Sequence, residues 1–142
     1  MIQAVLATDD VTFHRTIRAT LQATGQVTVA PWHSPDSLLP CVAVHRPDVI
    51  LLDARSGRAE PLRNQLYVLR ELALHQAFAV FVEPDDRAIA EVARSNGAAH
   101  VLTAGDNRRQ LMRTVTLVAE GGRADRDPRS TVASCENSVR QS

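Results

Sequence analysis

Lysine is absent from this 142-residue chain: its 16 basic residues are all arginine. No chemistry here can draw on a lysine ammonium group, whether for phosphate contact or for a Schiff base. Cysteine is scarce, and Cys41 and Cys135 are far apart and match neither a zinc nor a CxxC spacing. With no secretory signal, the expected setting is reduced and cytoplasmic. No apolar run approaches the length of a bilayer-spanning helix, so no membrane partner is expected. Net charge is also absent: 16 acidic residues balance the arginines. That removes any global attraction to nucleic acid or anionic lipid, and direct nucleic-acid binding is not expected. Neither a GxGxxG nor a GxxxxGK loop occurs, which counts against a dinucleotide or nucleoside-triphosphate site. The five histidines show no HxxxH spacing, and no catalytic triad stands out. Enzymatic activity is not expected.

What the sequence does have is alternation. Ile2 to Ala7 is a short apolar run followed by the acidic pair Asp9-Asp10. Val11, Phe13, Ile17 and Leu21 then recur at close to helical period, and Gly25 suits the left-handed position that ends a helix. Gln26 to Ala30 alternates and is rich in valine, which reads as a second strand. Ser34-Pro35-Asp36 opens a helix running to about His45, with Pro40 inside it. The run from Asp48 to Asp53 is the clearest strand, and its continuous apolar centre implies burial on both faces. A loop with Ser56-Gly57 follows, then a helix over Glu60 to His75, a strand over Phe78 to Val82, and a helix opened by Pro84-Asp85-Asp86. His100 to Thr103 is a fifth strand, and Asp106 is expected to cap a last helix from about Asn107 to Glu120.

Five strands alternating with five helices predict an α/β fold: a three-layer, doubly wound, five-stranded parallel sheet of flavodoxin-like order 2-1-3-4-5. The domain is expected over residues 1–120. Residues 121–142 are polar, begin with Gly-Gly and have hardly any large apolar residues, and are expected to form a disordered tail.

In such a sheet, functional groups gather at the carboxyl ends of the strands. Asp9 and Asp10 follow the first strand and Asp53 ends the third, and these strands are neighbours in the expected order. Three converging carboxylates repel one another and usually hold a hard divalent cation. Magnesium suits such a site, and a carboxylate beside it can accept a phosphoryl group. Each aspartate also has a plainer use, since Asp9 or Asp10 can cap the helix that follows.

Three stretches carry a resemblance: the pair Asp9-Asp10, the run Arg46-Pro-Asp-Val-Ile-Leu-Leu-Asp53, and Asn96-Gly-Ala-Ala-His-Val-Leu-Thr103. Over residues 1–120 the chain resembles a response-regulator receiver domain of the CheY-like superfamily. The resemblance implies that Asp53 is the phosphoacceptor and that Asp9, Asp10 and Asp53 are Mg2+ ligands. A one-residue slip after the first strand would place Thr8 and Asp9 there instead. It also implies a signal-transduction role in a two-component phosphorelay, with a histidine kinase or sensor protein as partner and a homodimer as a further assembly.

Two positions depart from the family. Receivers have a serine or threonine at the end of strand four, where this chain has Glu83, and a lysine at the end of strand five, where it has Ala104. Both are degenerate switch positions. The lysine normally compensates phosphoryl charge, and a carboxylate at position 83 repels an incoming phosphoryl group. Arg87 and Arg108 are the candidates to replace the lost cation. Departures of this kind are similar to receivers of ANTAR-type antitermination regulators of the nitrate-assimilation and amidase type, here without the ANTAR region. The alternative reading is a phosphorylation-independent pseudo-receiver, an interaction module for a sensor partner.

Overall fold

The computed structural model describes residues 1–31, 42, 44, 46–55, 59–72, 78–103 and 105–126. Most of the helix expected over 34–45, the Ser56-Gly57 loop, Ala104 and residues 127–142 lie outside the described residues.

The elements run β1 (Ile2–Ala7), α1 (Val11–Gln22), β2 (Val27–Val29), β3 (Val49–Asp53), α2 (Ala59–Leu72), β4 (Phe78–Val82), α3 (Arg87–Ser95), β5 (His100–Thr103) and α4 (Arg108–Arg126). The strands form one sheet in the order β2-β1-β3-β4-β5, and every pairing is parallel. This is the doubly wound order expected from the alternation of strand and helix. β2 lies on one side of β1 and β3 on the other, so the direction of winding reverses between them.

Side-chain alternation along each strand divides the core in two. Leu6, Val49, Leu51, Ala79, Phe81 and Leu102 pack with Phe13, Ile17 and Leu21 of α1 and with Leu111, Val115 and Val118 of α4. Val5, Ile50, Leu52, Val80 and Val82 face the other way, against Leu62 and Leu66 of α2 and Ile89, Ala90 and Ala93 of α3. β3 contributes to both layers, and Val49 to Leu52 are completely buried. That is why its sequence is a continuous apolar run rather than an alternating one. Each of its leucines contributes roughly 1.5–3 kcal/mol by leaving water.

The helix ends follow local chemistry. Gly25 and Gly97 adopt positive φ, 74° and 99°, where a Cβ is unfavourable, and so end α1 and α3. Asp86 caps α3 by accepting from the Ile89 amide at 3.1 Å. The last helix starts differently from the expectation. Asn107, not Asp106, caps α4: its Oδ1 accepts from the Gln110 amide at 2.9 Å, and Gln110 Oε1 accepts from the Asn107 amide at 3.1 Å. This reciprocal pair is a capping box. Asp106 instead turns back to β5, accepting from the Thr103 hydroxyl at 2.8 Å and the Thr103 amide at 3.2 Å. α4 also continues past Glu120 to Arg126, so the first residues of the expected tail are helical.

Candidate functional site

The register brings the carboxyl ends of the central strands together. Ala7 pairs with Leu52, and Asp53 with Phe81. The residue after β1 therefore lies beside the residue that ends β3. Thr8 occupies that place. It is fully buried, and its hydroxyl donates to Asp53 Oδ2 at 2.6 Å. The Thr8 hydroxyl oxygen in turn accepts from the Asp10 amide at 3.0 Å. The chain thus turns from β1 into α1 with one hydroxyl tying the turn to the end of β3.

Asp10 is the N-cap of α1. Its Oδ1 accepts from the Phe13 amide at 3.0 Å, which leaves Oδ2 facing the cleft. The Phe13 amide bond, followed by the hydrogen bond from Arg55, holds the Asp10 carboxyl below its ordinary pKa. Asp9 lies on the rim with an exposed side chain. Of the three expected carboxylates, Asp10 and Asp53 are joined through Arg55, and Asp9 lines the same cleft.

Arg55 joins the two. Its backbone amide donates to Asp53 Oδ1 at 3.0 Å. Its guanidinium forks onto Asp53, with Nε on Oδ1 at 2.9 Å and Nη2 on Oδ2 at 3.1 Å. Nη2 also reaches Asp10 Oδ2 at 3.2 Å. The guanidinium carbon lies over the Phe13 ring, 3.6 Å from its centroid, and Phe13 in turn meets Phe81 edge-on at 5.1 Å. Both Asp53 oxygens are therefore engaged, Oδ1 by Arg55 and Oδ2 by Thr8 and Arg55. A bidentate, charge-assisted fork is the strongest common form of such contact, and the aromatic face adds cation–π attraction. The hydrogen bond to Asp53 is the main reason the Arg55 pKa is raised further. The Asp53 side chain is only 10% exposed and that of Arg55 19%, so solvent screens this pair less than a surface ion pair.

Among the described residues, the cleft above these groups is lined by Asp9, Asp10, Val11, Thr12, Asp53, Arg55 and Glu83, with a volume of about 530 Å³. Glu83 stands where expected, just beyond β4, and is exposed. Arg87 and Arg108 do not line the cleft. Among the described residues, the cation that meets Asp53 is Arg55. Its only sequence signal is a basic side chain two residues beyond a strand-ending aspartate. Ala104 lies outside the described residues.

A magnesium ion needs carboxylate oxygens free to enter an octahedral shell. Here Arg55 takes both Asp53 oxygens and the cleft-facing oxygen of Asp10. No group of three or more His, Cys, Asp or Glu side chains suited to a metal occurs among the described residues. As the side chains stand, the pocket does not fit a divalent cation.

The sequence matches no protein-family model and no curated protein, but the fold has many solved counterparts. The chain is similar to the signal receiver domain of the response regulator NarL from Mycobacterium tuberculosis, with a TM-score of 0.73 and 25% identity over 84% of this chain and 97% of that one. A response regulator receiver protein from Burkholderia phymatum gives 0.69 and 27% over 84% and 96%. A response regulator from Thermotoga maritima gives 0.73 and 15% over 84% and 98%. The structural neighbours are response-regulator receiver domains, and this chain has their fold.

Proposed function

We propose that this chain is a signal-transduction receiver domain with Asp53 in the phosphoacceptor position, whose output is read by a partner without requiring phosphorylation. The receiver fold supports the signalling role. The observation that carries the finer reading is the state of Asp53: the carboxylate that would attack a phosphoryl donor is already held by Thr8 and by the Arg55 fork. An incoming phosphoryl group would also meet Glu83 across the cleft, which like-charge repulsion disfavours. No lysine exists to compensate it.

Within this reading the chain is a binding module and not an enzyme. Its partner is a sensor protein or histidine kinase, and a second copy of the chain is a further partner. Its setting is cytoplasmic, consistent with the absence, among the described residues, of a helix long and apolar enough to cross a membrane. Glu83 and Ala104 also favour kinship with receivers of ANTAR-type antitermination regulators, in which a partner sensor reads the receiver-like domain.

A second reading keeps a phosphorylated Asp53, with Mg2+ on Asp9 and Asp10. Its support is the location of Asp53 at the end of β3, beneath an open cleft. Incubation with magnesium and acetyl phosphate, followed by intact mass spectrometry, separates the two. The proposed function predicts at most a trace of singly phosphorylated chain and an unchanged oligomeric state. Stoichiometric phosphorylation, lost in Asp53→Asn and accompanied by a change in assembly, would overturn it.

A further inference from the structure

We infer that Arg55 is a built-in cation that takes the place of a divalent metal ion, so that the wild-type pocket is metal-independent and becomes a magnesium site only when Arg55 is removed. The inference rests on the reading of Asp53 as the head of a receiver pocket, and extends it to what bridges the carboxylates of that pocket.

The geometry points this way at three levels. The charge is in the right place: one nitrogen, Nη2, touches both Asp53 Oδ2 at 3.1 Å and Asp10 Oδ2 at 3.2 Å. A single positive group thus bridges the two carboxylates, which is what a metal ion does in an acidic pocket. The charge is also permanent and tethered. A guanidinium does not lose its proton at any ordinary pH, and it is less strongly hydrated than a small cation. Arg55 is two residues from Asp53, and its own amide is bonded to that carboxylate. It therefore competes with free magnesium at the effective concentration of a short tether. Finally, the guanidinium is held from outside the ion pair. Phe13 supplies a flat face 3.6 Å away, and Phe13 is fixed by the fully buried Phe81. A flexible surface arginine would lose much of its contact energy to side-chain entropy. This one is stacked, forked and bridged.

Removing the guanidinium should leave Asp10 and Asp53 facing each other without a counterion. Asp10 is bound to this place by its capping role, and Asp53 by Thr8. Magnesium needs only one or two protein carboxylates plus water, so the emptied pocket would meet its requirements.

The test is a magnesium titration by calorimetry, on the full chain, of the wild type, Arg55→Ala, and Arg55→Ala combined with Asp53→Asn. Arg55→Ala should bind one magnesium ion saturably, where the wild type shows no binding or binding weaker by at least about tenfold, the scale expected for losing hydrogen bonds between charged groups. The added Asp53→Asn change should remove the gain. Equal affinity in wild type and Arg55→Ala, or no binding by Arg55→Ala, would overturn the inference. If Arg55→Ala does not fold, Arg55→Gln keeps the stem and loses the charge, and the same comparison applies. In the wild type, the 15N resonance of Arg55 Nε should stay unmoved as magnesium is added; a saturable shift would also overturn it. These outcomes concern metal binding alone, so they are distinct from failure of the phosphorylation-independent reading, which is decided by phosphoryl mass and assembly.

Discussion

At the scale of single residues, the site is a small network in which each polar group does two things. Asp10 caps α1 with one oxygen and meets Arg55 with the other. Thr8 donates to Asp53 and accepts from Asp10. This double use makes Thr8 the most sensitive small change. Thr8→Val keeps the shape but removes the hydroxyl, taking one donor from Asp53 and the acceptor from the Asp10 amide. A buried polar group left without its partner costs roughly 1–3 kcal/mol. Urea denaturation should show a loss of that size for Thr8→Val and a smaller loss for Thr8→Ser, which retains the hydroxyl. Equal losses for the two would mean that Thr8 matters for packing and not for its hydrogen bonds. In the sequence Thr8 stands out only if the register after β1 slips by one residue. Arg55 carries no clearer signal, because a side chain two residues past a strand end can point anywhere until its neighbours are known. What directs it here is Phe13, remote in sequence and recognisable there only as a core residue of α1.

At the scale of elements, local signals and tertiary ones differ in how far they can be read. Strand β3 was plain because its apolar run has no polar interruption from Val49 to Leu52. The ends of α1 and α3 were plain because Gly25 and Gly97 sit where positive φ is needed. The start of α4 was less so. Asp106 and Asn107 are both good cap residues, and only the position of Thr103 decides that Asp106 turns back to β5 while Asn107 pairs with Gln110. The consequence is separable by mutation. Asn107→Ala should destabilise the chain by about 1 kcal/mol through loss of the cap, and Asn107→Asp should recover most of it, both measured by thermal or urea unfolding. A null effect of Asn107→Ala would place the cap elsewhere.

At the scale of the whole molecule, the parallel order β2-β1-β3-β4-β5 explains why residues as far apart as Thr8, Phe13, Asp53, Arg55 and Phe81 meet. Strand order was legible from alternation because crossover handedness and short loops leave few other solutions. The convergence of Asp10 and Asp53 followed from that order. The electrostatic character of the pocket did not, since net charge, spacing and strand order are all indifferent to whether a metal or an arginine sits between the carboxylates. The fold is therefore that of a receiver, while Asp10 and Asp53 of its pocket are bridged from within the chain by Arg55. The most direct measurement is a crystal structure of the chain grown with magnesium and beryllofluoride, a phosphoryl analogue. The account predicts Arg55 Nε and Nη2 still on Asp53, with neither metal nor analogue bound there. Beryllofluoride on Asp53, with magnesium on Asp10 and Arg55 swung away from Phe13, would contradict it.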